Sequence, residues 1–399
     1  MRLWQRSLAL WMTKVTALFY VSPSNTSYLW NFGFLAFFFL LLQIATGLLL
    51  AMFYNPSVLL AYESIMYINN EVYYGWWIRA LHANGASWFF IVVYIHMCRS
   101  LYYGSFLFPR NLLWISGVLL WLLMIVTAFL GYVLPWGQMS FWGAIVITNL
   151  FSAIPFVGTD IIYLLWGGFT IDNASLHRFY ALHFALPFII LILSLAHVFF
   201  LHEFGSNNPL GLSVASDNTV FLPYYVLKDS LSLVILLVLF FLVVFSSPDL
   251  LGHVDNYSRA NFLVTPAHIV PEWYFLPLYA VLRSVTNKLL GILLIICIFF
   301  SLFILPYIVF FYLIRSGKFK PFFALIFWFF VANCLLLGWI GSLPVNSPYL
   351  ELGQSFTLIY YGIIFILFPL VGFMDHLAYQ VYIFSQPSHH IWRKSFFHG

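Results

Sequence analysis

Long apolar runs separated by short polar segments make up most of the chain from residue 31 onward. A membrane-spanning α-helix needs roughly 20 consecutive, mostly apolar residues, and eight runs reach that length. They cover residues 31–54, 76–103, 112–134, 174–202, 226–247, 289–311, 321–340 and 356–384. The pattern therefore predicts an all-α membrane protein with eight transmembrane helices.

Two of the connections between these runs are themselves apolar and aromatic. Residues 137–150, between the third and fourth spans, and residues 271–285, between the fifth and sixth, are too short to cross a bilayer. Such segments are typical of helices that lie at the membrane surface or fold back into a bundle. We expect them to cover a cavity.

The composition excludes a water-soluble globule. Of the 399 residues, 63% are hydrophobic and 7% are charged, whereas an average soluble domain has about 25% charged residues. Cys98, Cys297 and Cys334 lie inside apolar runs without metal-ligand or disulfide spacing, so we assign them no chemistry. The N-terminal segment has basic residues but no short apolar core with a cleavage site, so we expect no removable signal peptide.

The lysines and arginines divide unevenly between the two membrane faces. The face that holds both termini receives eleven of them: Arg2, Arg6, Lys14, Arg99, Arg110, Lys228, Arg315, Lys318, Lys320, Arg393 and Lys394. The other face receives five: Arg79, Arg178, Arg259, Arg283 and Lys288. Positive charge is retained on the matrix or cytoplasmic side. We therefore expect both termini on that negative side and the two apolar connections on the positive side.

Four histidines lie inside two of the predicted spans at matched depths. The second span has His82 and His96, and the fourth has His183 and His197, 14 residues apart in each case. This spacing is close to four helical turns and roughly 21 Å of rise, so both histidines of a helix face nearly the same way. The two helices run parallel because they are two spans apart in the chain. The pattern thus pairs His82 with His183 and His96 with His197, one pair in each leaflet.

Paired imidazoles inside a membrane indicate haem. Imidazole is a common metal ligand, and a haem iron with both axial positions filled has no open site for oxygen or substrate. We therefore interpret the quartet as the iron ligands of two electron-carrying b-type haems. The alternative is four ordinary buried histidines, but ionisable groups inside a membrane are costly and rare.

Glycines with the same spacing occur in the other two helices of this unit. Gly33 and Gly47 lie in the first span, and Gly117 and Gly131 lie in the third, again 14 residues apart. Glycine permits the close approach that a wide cofactor requires. The first four spans therefore form a candidate haem-binding four-helix bundle.

Three arginines lie near the histidines in sequence. Arg79 precedes His82 by three residues, Arg99 follows His96 by three, and Arg178 precedes His183 by five. Guanidinium groups are suitable partners for haem propionates. Snorkelling of these side chains to the lipid headgroups is the alternative.

The histidine quartet, the segment Gly131-Tyr-Val-Leu-Pro-Trp-Gly-Gln and the segment Pro271-Glu-Trp-Tyr together resemble the cytochrome b family, over about residues 25–380. The resemblance implies the central subunit of ubiquinol:cytochrome c reductase, respiratory complex III. Such a subunit oxidises quinol on the positive side and reduces quinone on the negative side, with coupled proton translocation (the Q-cycle). Electrons cross between the two sides through a low-potential and a high-potential haem.

The quinol-oxidation pocket would be built from the two apolar connections. Glu272 is the only carboxylate in the stretch 269–282, and its apolar neighbours should raise its pKa, which suits an acceptor of the quinol proton. Tyr279 is seven residues further on and can hydrogen-bond or gate the same ligand. The expected apolar lining is Tyr132, Met139, Trp142, Gly143, Ile147, Phe129 and Phe275.

The quinone-reduction pocket would lie beside the other haem. His202 follows His197 by five residues, and Lys228-Asp229 opens the fifth span. With Asn31 and Ser206, these groups could hold the quinone carbonyls and supply protons. His202 could instead be an interfacial anchor.

The chain differs from the usual family pattern at four positions that bear on pocket shape. Leu222 stands where histidine is usual, Val254 and Thr286 where proline is usual, and His177 where asparagine is usual. None of them is an expected haem ligand.

The resemblance also implies partners and a location. We expect a Rieske iron–sulfur protein, cytochrome c1 and other complex III subunits as partners, membrane lipid around the chain, a homodimeric complex and no nucleic acid. The mitochondrial inner membrane is the expected location, with the bacterial plasma membrane as the alternative. We divide the chain into an N-terminal surface segment (1–30), the haem-binding bundle (31–215) and the C-terminal spans (216–399).

Two other functions compete with this interpretation. The related cytochrome of the photosynthetic quinol:plastocyanin complex ends after four helices and has one more residue between the histidines of its fourth helix. A haem-free transporter would use the histidines as a proton relay, but the chain contains no inverted repeat. A purely structural subunit does not explain ionisable groups at membrane depth.

Overall fold

The computed structural model describes residues 20–212, 217–309 and 315–385, and most of these residues are helical. The longer helices are α1 (Phe32–Ala51), α2 (Ala61–Asn70), α3 (Gly75–Tyr102), α4 (Asn111–Val133), α5 (Gln138–Thr148), α6 (Gly158–Trp166), α7 (Asn173–Phe204), α8 (Tyr224–Ser246), α9 (Leu276–Arg283), α10 (Lys288–Ile308), α11 (Pro321–Gly341), α12 (Tyr349–Gly362) and α13 (Phe368–Ser385). Two short strands, β1 (Val21–Pro23) and β2 (Asn218–Val220), pair antiparallel. A π-helical segment, Ile363–Leu367, joins α12 to α13.

Within these described ranges, eight helical segments are long and apolar enough to cross a membrane, which confirms the predicted fold class. They are α1, α3, α4, α7, α8, α10, α11 and the continuous segment from α12 to α13. The basic residues at positions 2, 6, 14, 393 and 394, and the predicted end of the sixth span at 310–311, lie outside the described residues.

Local sequence signals account for where several spans begin. The Asn287 side chain accepts a hydrogen bond from the Leu290 amide, 3.1 Å away, and so caps α10. Pro321 occupies the first position of α11, where its missing amide proton costs nothing. The eighth span begins at Tyr349, seven residues before the predicted start. This added part includes the polar Gln354, whose side chain donates to the Ser284 carbonyl at 3.0 Å.

The first four spans form a bundle of two tightly packed pairs. Helix α1 packs along α3, α4 packs along α7, and α1 also touches α7. The space between α3 and α7 is therefore enclosed by α1 and α4. This arrangement agrees with the predicted four-helix bundle.

The remaining spans pack around this bundle. The Trp114 indole donates a hydrogen bond to the Leu302 carbonyl at 2.7 Å and thus joins α4 to α10. Phe240 of α8 packs edge-on against Phe39 of α1, with ring centroids 5.5 Å apart. Helix α8 therefore belongs structurally beside the bundle, although the chain reaches it only after the bundle is complete.

Both apolar connections form short helices. Segment 137–150 becomes α5, and segment 271–285 becomes a 3₁₀ turn, Trp273–Phe275, followed by α9. The amide of Gln138 donates to the Ser258 carbonyl at 2.9 Å, and the amide of Ala260 donates to the Trp136 carbonyl at 3.0 Å. These bonds join the start of the first connection to residues 258–260, which precede segment 271–285 in the same loop. We call the side of the molecule that carries α5 and α9 the α5/α9 face. The sequence pattern did not predict the additional short helices α2 and α6.

The opposite side carries the β1–β2 pair and is called the β1/β2 face. Val21 is in register with Val220, so the segment before α1 is fixed to the connection between α7 and α8. The buried Asn31 side chain continues this attachment by donating to the Lys228 carbonyl at 2.9 Å and to the Ser232 hydroxyl at 2.7 Å.

Candidate functional site

The imidazole rings of His82 and His183 face each other across the bundle. Their centroids lie 6.2 Å apart, and the ring planes are inclined at 83°. A metal–imidazole bond is roughly 2 Å long, so two rings on opposite sides of one metal ion have centroids roughly 6 Å apart. The pair therefore has the spacing of two axial ligands of a single metal.

The Nδ1 atoms of these two rings are held by neighbouring helices. His82 Nδ1 lies 2.9 Å from the Thr46 hydroxyl of α1, and His183 Nδ1 lies 2.8 Å from the Thr127 carbonyl of α4. The other ring nitrogen, Nε2, is left for a ligand in the centre of the bundle. Hydrogen bonds at the non-ligating nitrogen are the usual way in which a protein orients a metal-binding imidazole.

His96 and His197 form the second pair. His197 Nδ1 lies 2.8 Å from the Ser116 hydroxyl of α4, which repeats the contact of His82. His96 Nδ1 instead lies 3.2 Å from a guanidinium nitrogen of Arg99. The same guanidinium lies over the Trp30 ring, 5.1 Å from its centroid.

Each of the four glycines lies against one of the four imidazoles. A Cβ atom at Gly33 would come within 3.2 Å of His96 Cε1, and one at Gly117 within 3.2 Å of His197 Cε1. A Cβ at Gly47 would come within 3.0 Å of His82 Cε1. At Gly131 the overlap with the neighbouring ring, that of His183, is greater still. The glycines thus make room for the histidine rings themselves, a closer role than the general clearance expected from their spacing.

A cavity of about 560 Å³ opens beside the His82–His183 pair. Pockets for small molecules and cofactors commonly have roughly 300–1,000 Å³. The lining includes Gly47, Gly131, Arg79, Tyr132 and Glu272 as well as the two histidines. The cavity therefore connects the histidine pair with the start of the Pro271-Glu-Trp-Tyr segment.

The three arginines have different surroundings. Arg79 lines this cavity, and its guanidinium lies 5.7 Å from the centroid of the Tyr257 ring. Arg99 is near the His96–His197 pair, and its Nε atom is buried without a hydrogen-bond partner among the described residues. Arg178 is exposed and donates to the Leu164 carbonyl, and it does not line the cavity.

Glu272 is positioned by contacts between its own segment and α3. The Trp273 indole donates to the Ser87 hydroxyl at 3.1 Å, and the Tyr94 hydroxyl donates to the Tyr274 carbonyl at 2.7 Å. The Tyr274 ring also stacks on Phe90 at a centroid distance of 4.0 Å. These three contacts fix the two residues that directly follow Glu272 against α3.

The carboxyl of Glu272 has an altered proton affinity. Burial raises the pKa of Glu272 to about 7, although the neighbouring Tyr132 hydroxyl lowers it in part. A carboxyl with this pKa exchanges protons near neutral pH, which suits a general base or acid.

The other residues expected in the oxidation pocket lie at the α5/α9 face in several environments. Met139 is fully buried, whereas Trp142 and Ile147 are half-buried. The space beside the Gly143 α-carbon is open. Phe129 packs against Phe179 with centroids 6.2 Å apart, and Phe275 packs edge-on against Phe90 at 5.8 Å. The Tyr279 hydroxyl donates to the Ile269 carbonyl at 3.3 Å, and its ring lies 4.8 Å from the Arg283 guanidinium.

The residues expected in the reduction pocket lie at the β1/β2 face. The His202 ring stacks on Tyr20 with centroids 4.3 Å apart, and Ser206 is half-buried nearby in sequence. Lys228 donates to the Thr26 carbonyl at 2.6 Å, and Asp229 is half-buried beside it in α8. Asn31 is occupied by its bonds to α8, so the structure gives it a role in helix attachment.

Sequence reasoning missed Thr46, Ser116 and Thr127. A signal for two of them was present, because Thr46 directly precedes Gly47 and Ser116 directly precedes Gly117. A hydroxyl next to the glycine that faces a histidine lies at the right depth to reach that ring. For Thr127 the bonding atom is the backbone carbonyl, for which the residue type gives no signal.

Comparison with known proteins relates this site to one family. A family described as "Cytochrome b/b6/petB" matches residues 18–205, and one described as "Cytochrome b(C-terminal)/b6/petD" matches residues 259–361. The chain is 54% identical to cytochrome b of Acanthamoeba castellanii, over 90% of this chain and 94% of that relative. It is 52% identical to cytochrome b of Chondrus crispus, over 88% of this chain and 92% of that relative.

A solved structure agrees with these sequence matches. It is described as "Hyperthermophilic respiratory Complex III", and the chain matches it with a TM-score of 0.86 and 30% sequence identity. The match covers 93% of this chain and 98% of the compared chain. The fold is therefore shared over nearly the whole of both chains.

Proposed function

Since this chain belongs to the cytochrome b family and transfers electrons as the core subunit of a quinol:cytochrome c reductase, we propose that its two histidine pairs hold the two b-type haems of that subunit. His82 and His183 hold one haem near the α5/α9 face, and His96 and His197 hold the other near the β1/β2 face. The single observation that carries this assignment is the 6.2 Å centroid spacing of His82 and His183.

The residues around the His82–His183 pair fit a haem. The glycines let both rings approach the helix backbones, the cavity lies beside the pair, and Arg79 on its wall is available for a propionate. When bound, the two haems supply one-electron transfer between the two sides of the membrane. An iron held by both His82 and His183 would have no coordination site open for substrate.

The His96–His197 pair fits a second haem for a different reason. The buried Nε of Arg99 and the buried indole nitrogen of Trp30 both lack hydrogen-bond partners among the described residues. Buried donors of this kind are costly unless a polar group satisfies them. A propionate carboxylate satisfies both kinds of donor, so we assign Arg99 and Trp30 to this role. The exposed Arg178 has no such support.

Quinol oxidation is assigned to the α5/α9 face, with Glu272 as the acceptor of a quinol proton. The support is its raised pKa and its place on the wall of the cavity that adjoins the His82–His183 pair. A base near the haem lets the proton and the electron leave the quinol on one side of the membrane. Tyr132 lines the same cavity. The cavity lining does not include the other residues expected in the oxidation pocket, which remain expectations from the resemblance: Trp142, Gly143, Ile147, Phe129, Met139, Phe275 and Tyr279.

Quinone reduction is assigned to the β1/β2 face, beside the His96–His197 pair. His202, Ser206, Lys228 and Asp229 supply polar and ionisable groups at that end of α7 and α8. The Lys228 ammonium lies 5.0–5.5 Å from the ring centroids of Tyr28, Tyr224 and Tyr225. We propose that these groups bind a quinone carbonyl and deliver protons from the negative side.

The chain is a membrane protein of the respiratory chain and works in a multi-subunit complex. We assign the α5/α9 face to the positive side and both termini to the matrix side of the mitochondrial inner membrane. Because electrons from quinol need an acceptor outside the lipid, a Rieske iron–sulfur protein and cytochrome c1 are the proposed partners. The division at residues 30 and 215 and the homodimer remain predictions from the resemblance.

Haem content tests the assignment directly. A reduced-minus-oxidised spectrum of the purified complex, titrated against potential, should give two low-spin b-haems per chain with separate midpoints. His183→Ala should remove one of them and His197→Ala the other, while His177→Ala, on the exposed start of α7, should remove neither. A complex without haem would overturn the proposal and favour a proton-relay transporter.

A further inference from the structure

The contact between Thr46 and His82 has a defined direction. A threonine hydroxyl carries one proton, and Thr46 donates it to the Leu42 carbonyl, 2.7 Å away on the same helix. The Leu42 carbonyl can only accept, so with the hydroxyl proton assigned to that carbonyl the hydroxyl is the acceptor in its 2.9 Å contact with His82 Nδ1. His82 accordingly carries its proton on Nδ1, and the lone pair of Nε2 is directed toward the centre of the bundle.

Ser116 repeats this arrangement at the other pair. Its hydroxyl donates to the Leu113 carbonyl at 2.9 Å and lies 2.8 Å from His197 Nδ1. The hydroxyl again accepts from the ring, and the Nε2 lone pair is again free. One hydroxyl of this kind thus serves each of the two histidine pairs.

His183 also carries its proton on Nδ1, but the acceptor of that proton is a backbone carbonyl. Its Nδ1 donates to the Thr127 carbonyl at 2.8 Å, while the Thr127 hydroxyl is turned away and donates to the Leu123 carbonyl at 2.7 Å. A side-chain substitution at Thr127 therefore leaves the acceptor of His183 in place. This difference makes Thr127 a matched control for Thr46.

The position of each hydroxyl is fixed by its neighbour in sequence. Gly47 lets the His82 ring lie against α1, and Gly117 lets the His197 ring lie against α4. The preceding residue of each helix, Thr46 or Ser116, is then at the depth of Nδ1. The dipeptides Thr46-Gly47 and Ser116-Gly117 have the same arrangement. In each, the glycine provides space for the histidine ring and the hydroxyl orients that ring.

We propose that Thr46 and Ser116 are positioning residues that set the midpoint potentials of the two haems, each through one iron-ligating histidine. This inference rests on the proposed haem function. An acceptor at Nδ1–H makes the imidazole a stronger electron donor to a metal at Nε2. Stronger donation stabilises the oxidised iron and lowers its midpoint potential, since hydrogen bonding to the axial ligand is one of the means by which a protein adjusts a haem.

The test is a potentiometric titration of the complete complex in its membrane, with four variants. Thr46→Val replaces the hydroxyl by a methyl group and should raise the midpoint potential of the His82–His183 haem alone. Thr46→Ser should restore the wild-type value. Ser116→Ala should raise the midpoint of the His96–His197 haem alone, and Thr127→Val should shift neither. The low-spin electron paramagnetic resonance signal of the affected haem should change in parallel, because it reports the donor strength of the axial ligands.

The outcomes separate this inference from the haem assignment. Two haems with unchanged midpoints in both Thr46→Val and Ser116→Ala would overturn the positioning role and leave the assignment intact. A shift of the midpoint potential in Thr127→Val equal to that in Thr46→Val would also overturn the positioning role. It would show that loss of any nearby hydroxyl changes the potential, with or without a bond to the histidine. If Thr46→Val does not assemble, Ser116→Ala alone decides the question by the same shift. Absence of haem from the wild-type complex would instead overturn the proposed function.

Discussion

The Gly131 α-carbon lies so close to the His183 imidazole that a Cβ atom there would overlap both Cε1 and Nδ1 of the ring. Gly131→Ala should therefore displace His183 from its place opposite His82. Overpacking of this kind costs about 1–3 kcal/mol, and here the displaced group is a proposed iron ligand. We expect a reduced content of the His82–His183 haem, measured by the amplitude of its step in a redox titration.

Alanine substitutions at two other glycines serve as comparison variants for this experiment. Gly117→Ala should have a smaller effect, because its Cβ would lie 3.2 Å from His197 Cε1. Gly362→Ala should leave both haems unchanged, because among the described residues no atom beyond its chain neighbours and the backbone of its own helix lies within 4 Å of the added Cβ. A full haem complement in Gly131→Ala would show that the bundle adjusts by more than the structure suggests.

Glu272→Gln should slow quinol oxidation while both haems remain bound. In the wild-type chain the pKa of Glu272 is raised to about 7 by burial, so the fraction present as proton-accepting carboxylate increases as the pH rises through 7. Wild-type turnover should increase over that interval. The amide cannot accept the proton, so the variant should be slow and lose this pH step, which steady-state rates between pH 5.5 and 8.5 would reveal.

An exposed carboxylate serves as the control for Glu272. Glu71→Gln changes the same functional group in the connection before α3 and should leave the pH profile unchanged. Equal rates of wild type and Glu272→Gln at every pH would remove Glu272 from the proton path. The haem assignment would be unaffected by that result.

The facing of His82 and His183 could be predicted from sequence because it depends on quantities that the sequence contains. The 14-residue spacing fixes relative depth, and span order fixes helix direction, which together pair His82 with His183. The glycine spacing also identified the right positions. The spacing did not show what each glycine faces, because a glycine at a given helix position can lie against a cofactor or against a neighbouring ring.

Polar residues near helix ends were harder to assign. Asn31 could be placed at the correct depth, but its partner is a carbonyl 197 residues later in the chain, on α8. Arg178 was close to His183 in sequence, yet its guanidinium reaches the Leu164 carbonyl before α7. In both cases a competing backbone acceptor, created only by tertiary packing, determines where the side chain points. Helices α2 and α6 were missed because their short, mixed sequences have no long apolar run.

Tyr94→Phe should loosen the Pro271-Glu-Trp-Tyr segment without removing haem. The variant loses the 2.7 Å hydrogen bond to the Tyr274 carbonyl, which costs about 0.5–1.5 kcal/mol. We expect a lower thermal unfolding midpoint and slower quinol oxidation. Tyr73→Phe, at a side chain that is 84% exposed, is the control. A Tyr94→Phe complex with normal stability and turnover would indicate that the Phe90–Tyr274 stack is sufficient to hold the segment.

Membrane orientation can be tested with two single cysteines at exposed positions. Val254 lies in the connection before α9 and is 82% exposed, and Lys318 is exposed between α10 and α11. Eleven of the sixteen basic residues were assigned to the face that includes Lys318, so Val254→Cys should be at the positive side and Lys318→Cys at the negative side. A membrane-impermeant maleimide should label Val254→Cys only from the positive side of oriented vesicles and Lys318→Cys only from the negative side. The wild-type chain provides the background, since its described cysteines lie within the spans. The reverse labelling pattern would invert the topology and move quinol oxidation by Glu272 to the matrix side, which would contradict the proposed direction of proton release.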